Sequence, residues 1–156
     1  MSYNVEEGGI QMVRILFVCT GNTCRSPMAE AILKNKNIPG VEVKSAGVYA
    51  TDGISASQHA KQVLEEQKID FGHQSSMLTE ELVNWATYVL TMTEGHKDSI
   101  IRMFPHTKKK TFTLKEFVGY EVDVDIMDPF GGSLDLYRKT YKEIHENIER
   151  VIEKLQ

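Results

Sequence analysis

Eight consecutive residues, Cys19-Thr20-Gly21-Asn22-Thr23-Cys24-Arg25-Ser26, put a sulfur nucleophile, a small polar turn and a guanidinium into one loop. A cysteine sulfur can attack an electrophile whose oxygens are held by backbone N–H groups of such a turn. Arg25, six positions after Cys19, closes the cradle with a planar fork onto two phosphoryl oxygens, a geometry lysine lacks. These parts specify attack of sulfur on phosphorus, giving a cysteinyl-phosphate that water must then hydrolyse. The plain alternative is a strand-end cysteine beside a helix cap with a surface arginine, and Cys-x5-Arg alone does not separate the two.

The flanking elements do separate them. Val13-Arg14-Ile15-Leu16-Phe17-Val18 is short, nearly continuous in apolar character and suited to a central parallel strand covered on both faces. Such strands deliver their loops to the carboxyl edge of the sheet, where open α/β folds bind ligands. Ser26-Pro27 reads as a helix start, continued by the apolar face of Met28, Ala29, Ile32 and Leu33. The loop therefore sits at a helix N-terminus, whose free N–H groups and dipole favour both a phosphoryl group and negative charge on the Cys19 sulfur.

Further strands are expected at Val41 to Ser45, whose alternation suggests a sheet edge, at Tyr88 to Met92 and at Thr111 to Leu114. Helices are expected around Ala56 to Leu64, after the Thr79 cap, after the Thr93 cap as far as Pro105, and from about Leu134 to the end. Glu116 to Met127 reads as an ordered loop, Lys108-Lys109-Lys110 as a solvated one, and Trp85 as core. Alternating strands and helices predict an α/β fold with four parallel strands and helices on both faces.

From Val13 to the C-terminal helix the chain resembles the low-molecular-weight protein tyrosine phosphatases, and among them it is most similar to the bacterial protein arginine phosphatases. The resemblance rests on the Cys19 to Pro27 motif and on Asp128-Pro129-Phe130-Gly131-Gly132, the family's general-acid loop. It implies a three-layer sandwich with strand order 2-1-3-4, with Cys19, Arg25 and Asp128 catalytic and Thr20, Gly21, Asn22, Thr23, Cys24 and Ser26 holding phosphate. Asp128 would protonate the leaving atom and then activate water, while Asp123 and Asp125 lack that context and read as surface carboxylates. His73 would hydrogen-bond Asn22 and support its strained backbone. Ser45 either bonds the loop or merely ends a strand, and Ser26 either donates to the sulfur or caps the helix, two roles that can coexist.

Thr23 stands where the eukaryotic-type pattern has a bulky aliphatic residue. A smaller, hydroxylated wall suits a planar, donor-rich guanidinium, and Phe130 can stack on either a guanidinium or a phenol. The expected activity is therefore hydrolysis of phosphoarginine in proteins, with phosphotyrosine as the alternative substrate. Cys24 either forms a reversible redox disulfide with Cys19 or packs as a small buried residue.

With 156 residues and 41% hydrophobic content, one domain over residues 12–156 is expected, preceded by an extension or expression remnant at 1–11. A net charge of -4 with interspersed signs points to neither nucleic acid nor a membrane surface. Both cysteines lie in one loop, which fits a cytoplasmic protein and excludes a disulfide framework. It also argues against the related arsenate reductases, which need further cysteines outside the loop. A non-catalytic phosphate-binding adaptor would lack the nucleophile or the acid. No cofactor is expected, and no metal, since His59, His73, His96, His106 and His145 are scattered without a ligand spacing and most read as surface or capping residues. The expected partners are phosphorylated protein substrates, met by a monomer.

Overall fold

The computed structural model describes residues 12–156 and the backbone of a short antiparallel ladder pairing Val5–Glu6 with Gly9–Ile10. The reading of residues 1–11 as an extension or expression remnant otherwise lies outside the described residues.

Four parallel strands build the sheet: β1 (Val13–Cys19), β2 (Val41–Gly47), β3 (Tyr88–Thr91) and β4 (Thr111–Thr113). Their order is β2-β1-β3-β4, with β2 at the edge as its alternating pattern suggests. Successive side chains of a strand point to opposite faces, so β1 feeds two cores. Ile15 and Phe17 pack with Met28 and Ile32 of α1 (Arg25–Asn35), with α2 (Gln58–Glu66) and with α6 (Leu134–Leu155). Leu16 and Val18 pack with Val83 of α3 (Glu80–Trp85) and Ile100 of α4 (Glu94–Met103). All four β1 side chains are fully buried, which is why this strand alternates so little in its sequence. Two apolar layers thus clamp the strand that ends in Cys19. No helix among the described residues is long and apolar enough to cross a membrane.

Four local expectations change. α1 begins at Arg25 rather than at Pro27, and no side chain caps it, because the Ser26 hydroxyl is engaged elsewhere. Pro27 occupies the third helical position, where its missing N–H still costs nothing. Leu114 leaves the strand to start α5 (Leu114–Phe117), held by a reciprocal capping box between Thr113 and Glu116. The lysine run forms a 3-10 turn, and Lys110 donates to the carbonyls of Val83 at 2.5 Å and Ala86 at 2.7 Å. Burial holds the Lys110 pKa below the usual lysine range. Trp85 is only half-buried, with the Lys44 ammonium 4.5 Å above its ring.

Candidate active site

The turn after β1 is shaped by where its carbonyls go. Cys19 O accepts from Val48 N at 3.0 Å, Thr20 O from Tyr49 N at 2.9 Å and Thr23 O from Ser57 N at 2.8 Å. Asn22 O accepts the Nε2–H of His73 at 2.7 Å. The described peptides are all trans, so the N–H after each outward carbonyl points the other way. The amides of Thr20, Gly21, Thr23 and Cys24 therefore converge on the inside, joined by the free first-turn amides of α1. Such an arrangement can serve as an anion nest at a helix N-terminus.

Two residues permit so tight a turn. Asn22 adopts φ 56°, a left-handed conformation that asparagine tolerates better than most residues. At Gly47 a Cβ would lie 2.9 Å from the Asn22 amide nitrogen and closer still to the Thr20 carbonyl oxygen. Only glycine lets the end of β2 come that near.

The Asn22 side chain is fully used. Its Oδ1 accepts from Ser76 N at 2.9 Å, and its Nδ2 donates to Ser26 Oγ at 2.8 Å and to Ser45 Oγ at 2.9 Å. An amide nitrogen only donates, so each serine oxygen accepts and keeps one proton to give. Ser45 gives its proton to Glu30 Oε1 at 2.5 Å, and Ser26 Oγ lies 2.8 Å from Cys19 Sγ, within reach to donate its proton to a thiolate there. Glu30 is buried, with Lys34 Nζ 2.7 Å from its other oxygen and His73 Nδ1 at 3.9 Å. Asn22 thus links two serine hydroxyls, one beside the buried Glu30 side chain and one beside the Cys19 sulfur.

Arg25 is 4% exposed and joins two loops. Its Nη1 donates to Ile126 O at 2.9 Å and its Nη2 lies 3.5 Å from Asp128 Oδ2. Ile126 is in turn pinned through its own N–H to Met92 O at 2.8 Å. Asp128 is half-exposed, and its Oδ1 accepts from Phe130 N at 3.0 Å. Cys19, Thr20, Gly21, Thr23, Cys24, Arg25, Asp128 and Phe130 line a single cavity of about 220 Å³. Asn22, Ser26, Ser45 and His73 stand behind it. Asp123 and Asp125 do not join the cavity; both are exposed, and Asp125 Oδ1 accepts from Glu94 N at 2.8 Å at the start of α4. Both thiols are free, and Cys24 Sγ lies 3.3 Å from the Tyr137 hydroxyl, which burial and this contact push up to about 12.

Residues 14–156 match the family model for low molecular weight phosphotyrosine protein phosphatases. The chain belongs to that family. It is 60% identical over 143 residues to a protein-arginine-phosphatase of Geobacillus stearothermophilus, covering 92% of this chain and 96% of that protein. The solved structure of YwlE arginine phosphatase from Geobacillus stearothermophilus superimposes with a TM-score of 0.90 at 60% identity, covering 92% of this chain and 93% of that one. A mutant of YwlE arginine phosphatase with a phosphorylated active site serine is 45% identical with a TM-score of 0.87, covering 92% and 95%.

In this phosphatase three residues escape a reading of the sequence. Glu30 stands one helical turn beyond Ser26, a spacing that puts both on one face of α1. Tyr49, 80% exposed, follows the carboxyl end of β2 and is tied through its N–H to Thr20 O. His96 is buried, with Nε2 2.8 Å from Thr20 Oγ1 and Nδ1 3.0 Å from Thr93 Oγ1. Burial, reinforced by the charge of Arg25 and opposed by Asp125 and Asp128, holds the His96 pKa down at about 4. The one sequence signal for Tyr49 and His96 was position, since each follows a strand at its carboxyl end, the edge where such folds bind ligands.

Proposed function

We propose that this protein is a protein-arginine-phosphatase, hydrolysing phosphoarginine in proteins through a cysteinyl-phosphate. The phosphoryl group sits in the amide nest, and Arg25 turns its fork from Asp128 to two phosphoryl oxygens. The Cys19 sulfur attacks phosphorus and the P–N bond breaks, while Asp128 passes a proton to the departing guanidine nitrogen. Asp128, now ionised, takes a proton from the water that attacks the cysteinyl-phosphate. Inorganic phosphate and the Cys19 thiolate result, the latter steadied by the Ser26 hydroxyl.

The observation that carries the arginine assignment is Thr23, a small hydroxylated residue that shares the cavity wall with Asp128, where the leaving group would sit. The identity to arginine phosphatases supports the same reading. Phosphotyrosine is the second reading, and the exposed ring of Phe130 at the cavity mouth does not discriminate, since it can stack on a phenol or a guanidinium. Turnover of phosphoarginine and phosphotyrosine peptides by the wild type and by Thr23→Ile decides between them. Preference for phosphoarginine that Thr23→Ile shifts toward phosphotyrosine is expected; a wild type that strongly prefers phosphotyrosine overturns the assignment.

Ser45 and His73 act as supports of the loop in this scheme, and the protein works as a cytoplasmic monomer on phosphorylated proteins. Cys24 is its redox partner for Cys19. Peroxide treatment followed by mass mapping is expected to yield a Cys19–Cys24 disulfide, and sulfonic acid at Cys19 without it ends that idea.

A further inference from the structure

His96 reaches the phosphate loop from α4, outside every step just described. Its Nε2 lies 2.8 Å from Thr20 Oγ1 and its Nδ1 3.0 Å from Thr93 Oγ1, while Thr93 Oγ1 also accepts the His96 backbone N–H at 3.2 Å. A neutral imidazole carries its proton on one nitrogen only, so the two ring contacts have opposite polarity. With the proton on Nδ1, the ring donates to a Thr93 oxygen that already accepts once. The half-buried Thr93 hydroxyl then has no protein acceptor among the described residues and gives its proton only to solvent. With the proton on Nε2, Thr93 donates to Nδ1, and the ring N–H, the hydroxyl and the backbone N–H are all satisfied.

That tautomer decides what Thr20 offers to the cavity it lines beside Cys19 and Arg25. If Nε2 accepted, the Thr20 proton would be spent on the ring and an oxygen lone pair would face the phosphoryl group. If Nε2 donates, the hydroxyl proton stays available. We propose that His96 is a positioning residue, donating its Nε2–H to Thr20 Oγ1 and thereby reserving the Thr20 hydroxyl proton for a phosphoryl oxygen. Thr20 then adds a side-chain donor to the ring of backbone amides, aimed where charge builds up in the transition state. Arg25, Asp125 and Asp128 are the charges acting on the ring, and its burial holds it neutral at working pH. The proposal rests on the phosphatase reading of the site.

Imidazole nitrogen NMR of the intact wild-type chain near neutral pH reads the tautomer with no turnover involved. Protonated Nε2 with bare Nδ1 is expected, and the reverse overturns the proposal. Inorganic phosphate affinity and steady-state kinetics are then compared for Thr20→Val, His96→Ala, the double variant and His96→Gln, whose amide nitrogen can occupy the place of Nε2. Each single variant should lose about tenfold in phosphate affinity and in kcat/KM, the double variant no more than that, and His96→Gln should keep most of both. Additive losses, or His96→Gln as impaired as His96→Ala, overturn it. Failure of the phosphatase reading shows differently, as a wild type that turns over neither phosphoarginine nor phosphotyrosine whatever its tautomer.

Discussion

The two loops that meet at Arg25 are held in opposite ways. In the phosphate loop Cys19, Asn22, Cys24, Arg25 and Ser26 are all buried, and the outward carbonyls and the Asn22 amide are tied to β2, α2 and the segment around His73. In the acid loop Met127 is 69% exposed and Phe130 77%, and the main tie to the body of the protein runs through Ile126. The difference matches what the proposed mechanism asks of each. A nest stabilises charge at no cost during reaction only if its dipoles are already fixed, whereas an acid must admit a protein-sized leaving group and exchange its proton with water.

The sharpest break of this comparison is Cys19→Ser, which should lower turnover on the order of a millionfold while leaving phosphate affinity nearly intact, because the nest is untouched. Kinetics beside phosphate calorimetry read both halves. Asp128→Asn should cost about 10²- to 10⁴-fold in kcat with phosphoarginine, and less with p-nitrophenyl phosphate, whose leaving group needs no proton. Its stability to urea should move by no more than about 0.5 kcal/mol, as expected of an exposed side chain outside the core.

Acid titration probes the fixed side of the comparison through His96. Its pKa is about 4 folded against an ordinary 6.5, so between those values the unfolded chain binds the extra proton. Stability is therefore fully present above pH 6.5, falls as pH drops toward 4, and this loss, about 3 kcal/mol, levels off below that. Urea midpoints across this window should flatten in His96→Gln. Gly47→Ala and Gly131→Ala give the finest contrast. The first crowds the Thr20 carbonyl and the Asn22 amide and should cost about 1–3 kcal/mol together with phosphate affinity. The second meets open space at φ 77° and should cost about 1 kcal/mol of backbone strain with phosphate binding preserved.

Much of this was legible because it is local. Cys19 to Ser26 and Asp128 to Phe130 are contiguous, and the chemistry proposed for them rests on residue types a few bonds apart. The apolar runs at Val13 and Tyr88 announced buried strands, while the edge character of β2 showed in its alternation. Two readings missed. Leu114 continued an apolar strand pattern, which outweighed the Thr113-x-x-Glu116 spacing that closes a helical turn there. Lys110 looked solvated because its carbonyl partners lie in α3 and just past its end, 24 residues and more away.

By itself, then, the sequence determined that a strand and a helix would present Cys19 and Arg25 on one turn, and it offered Asp128 as the candidate acid. Only the tertiary structure decided that Glu30 and Ser45 would anchor the Asn22 amide, and that His96 would reach Thr20 across 76 residues of chain. The physical reason is that hydrogen-bond polarity depends on distances of a few ångströms between groups far apart in the chain. Residue pattern records which faces are apolar, whereas the packing of β1 against β2 and β3 is what brings those donors and acceptors within reach.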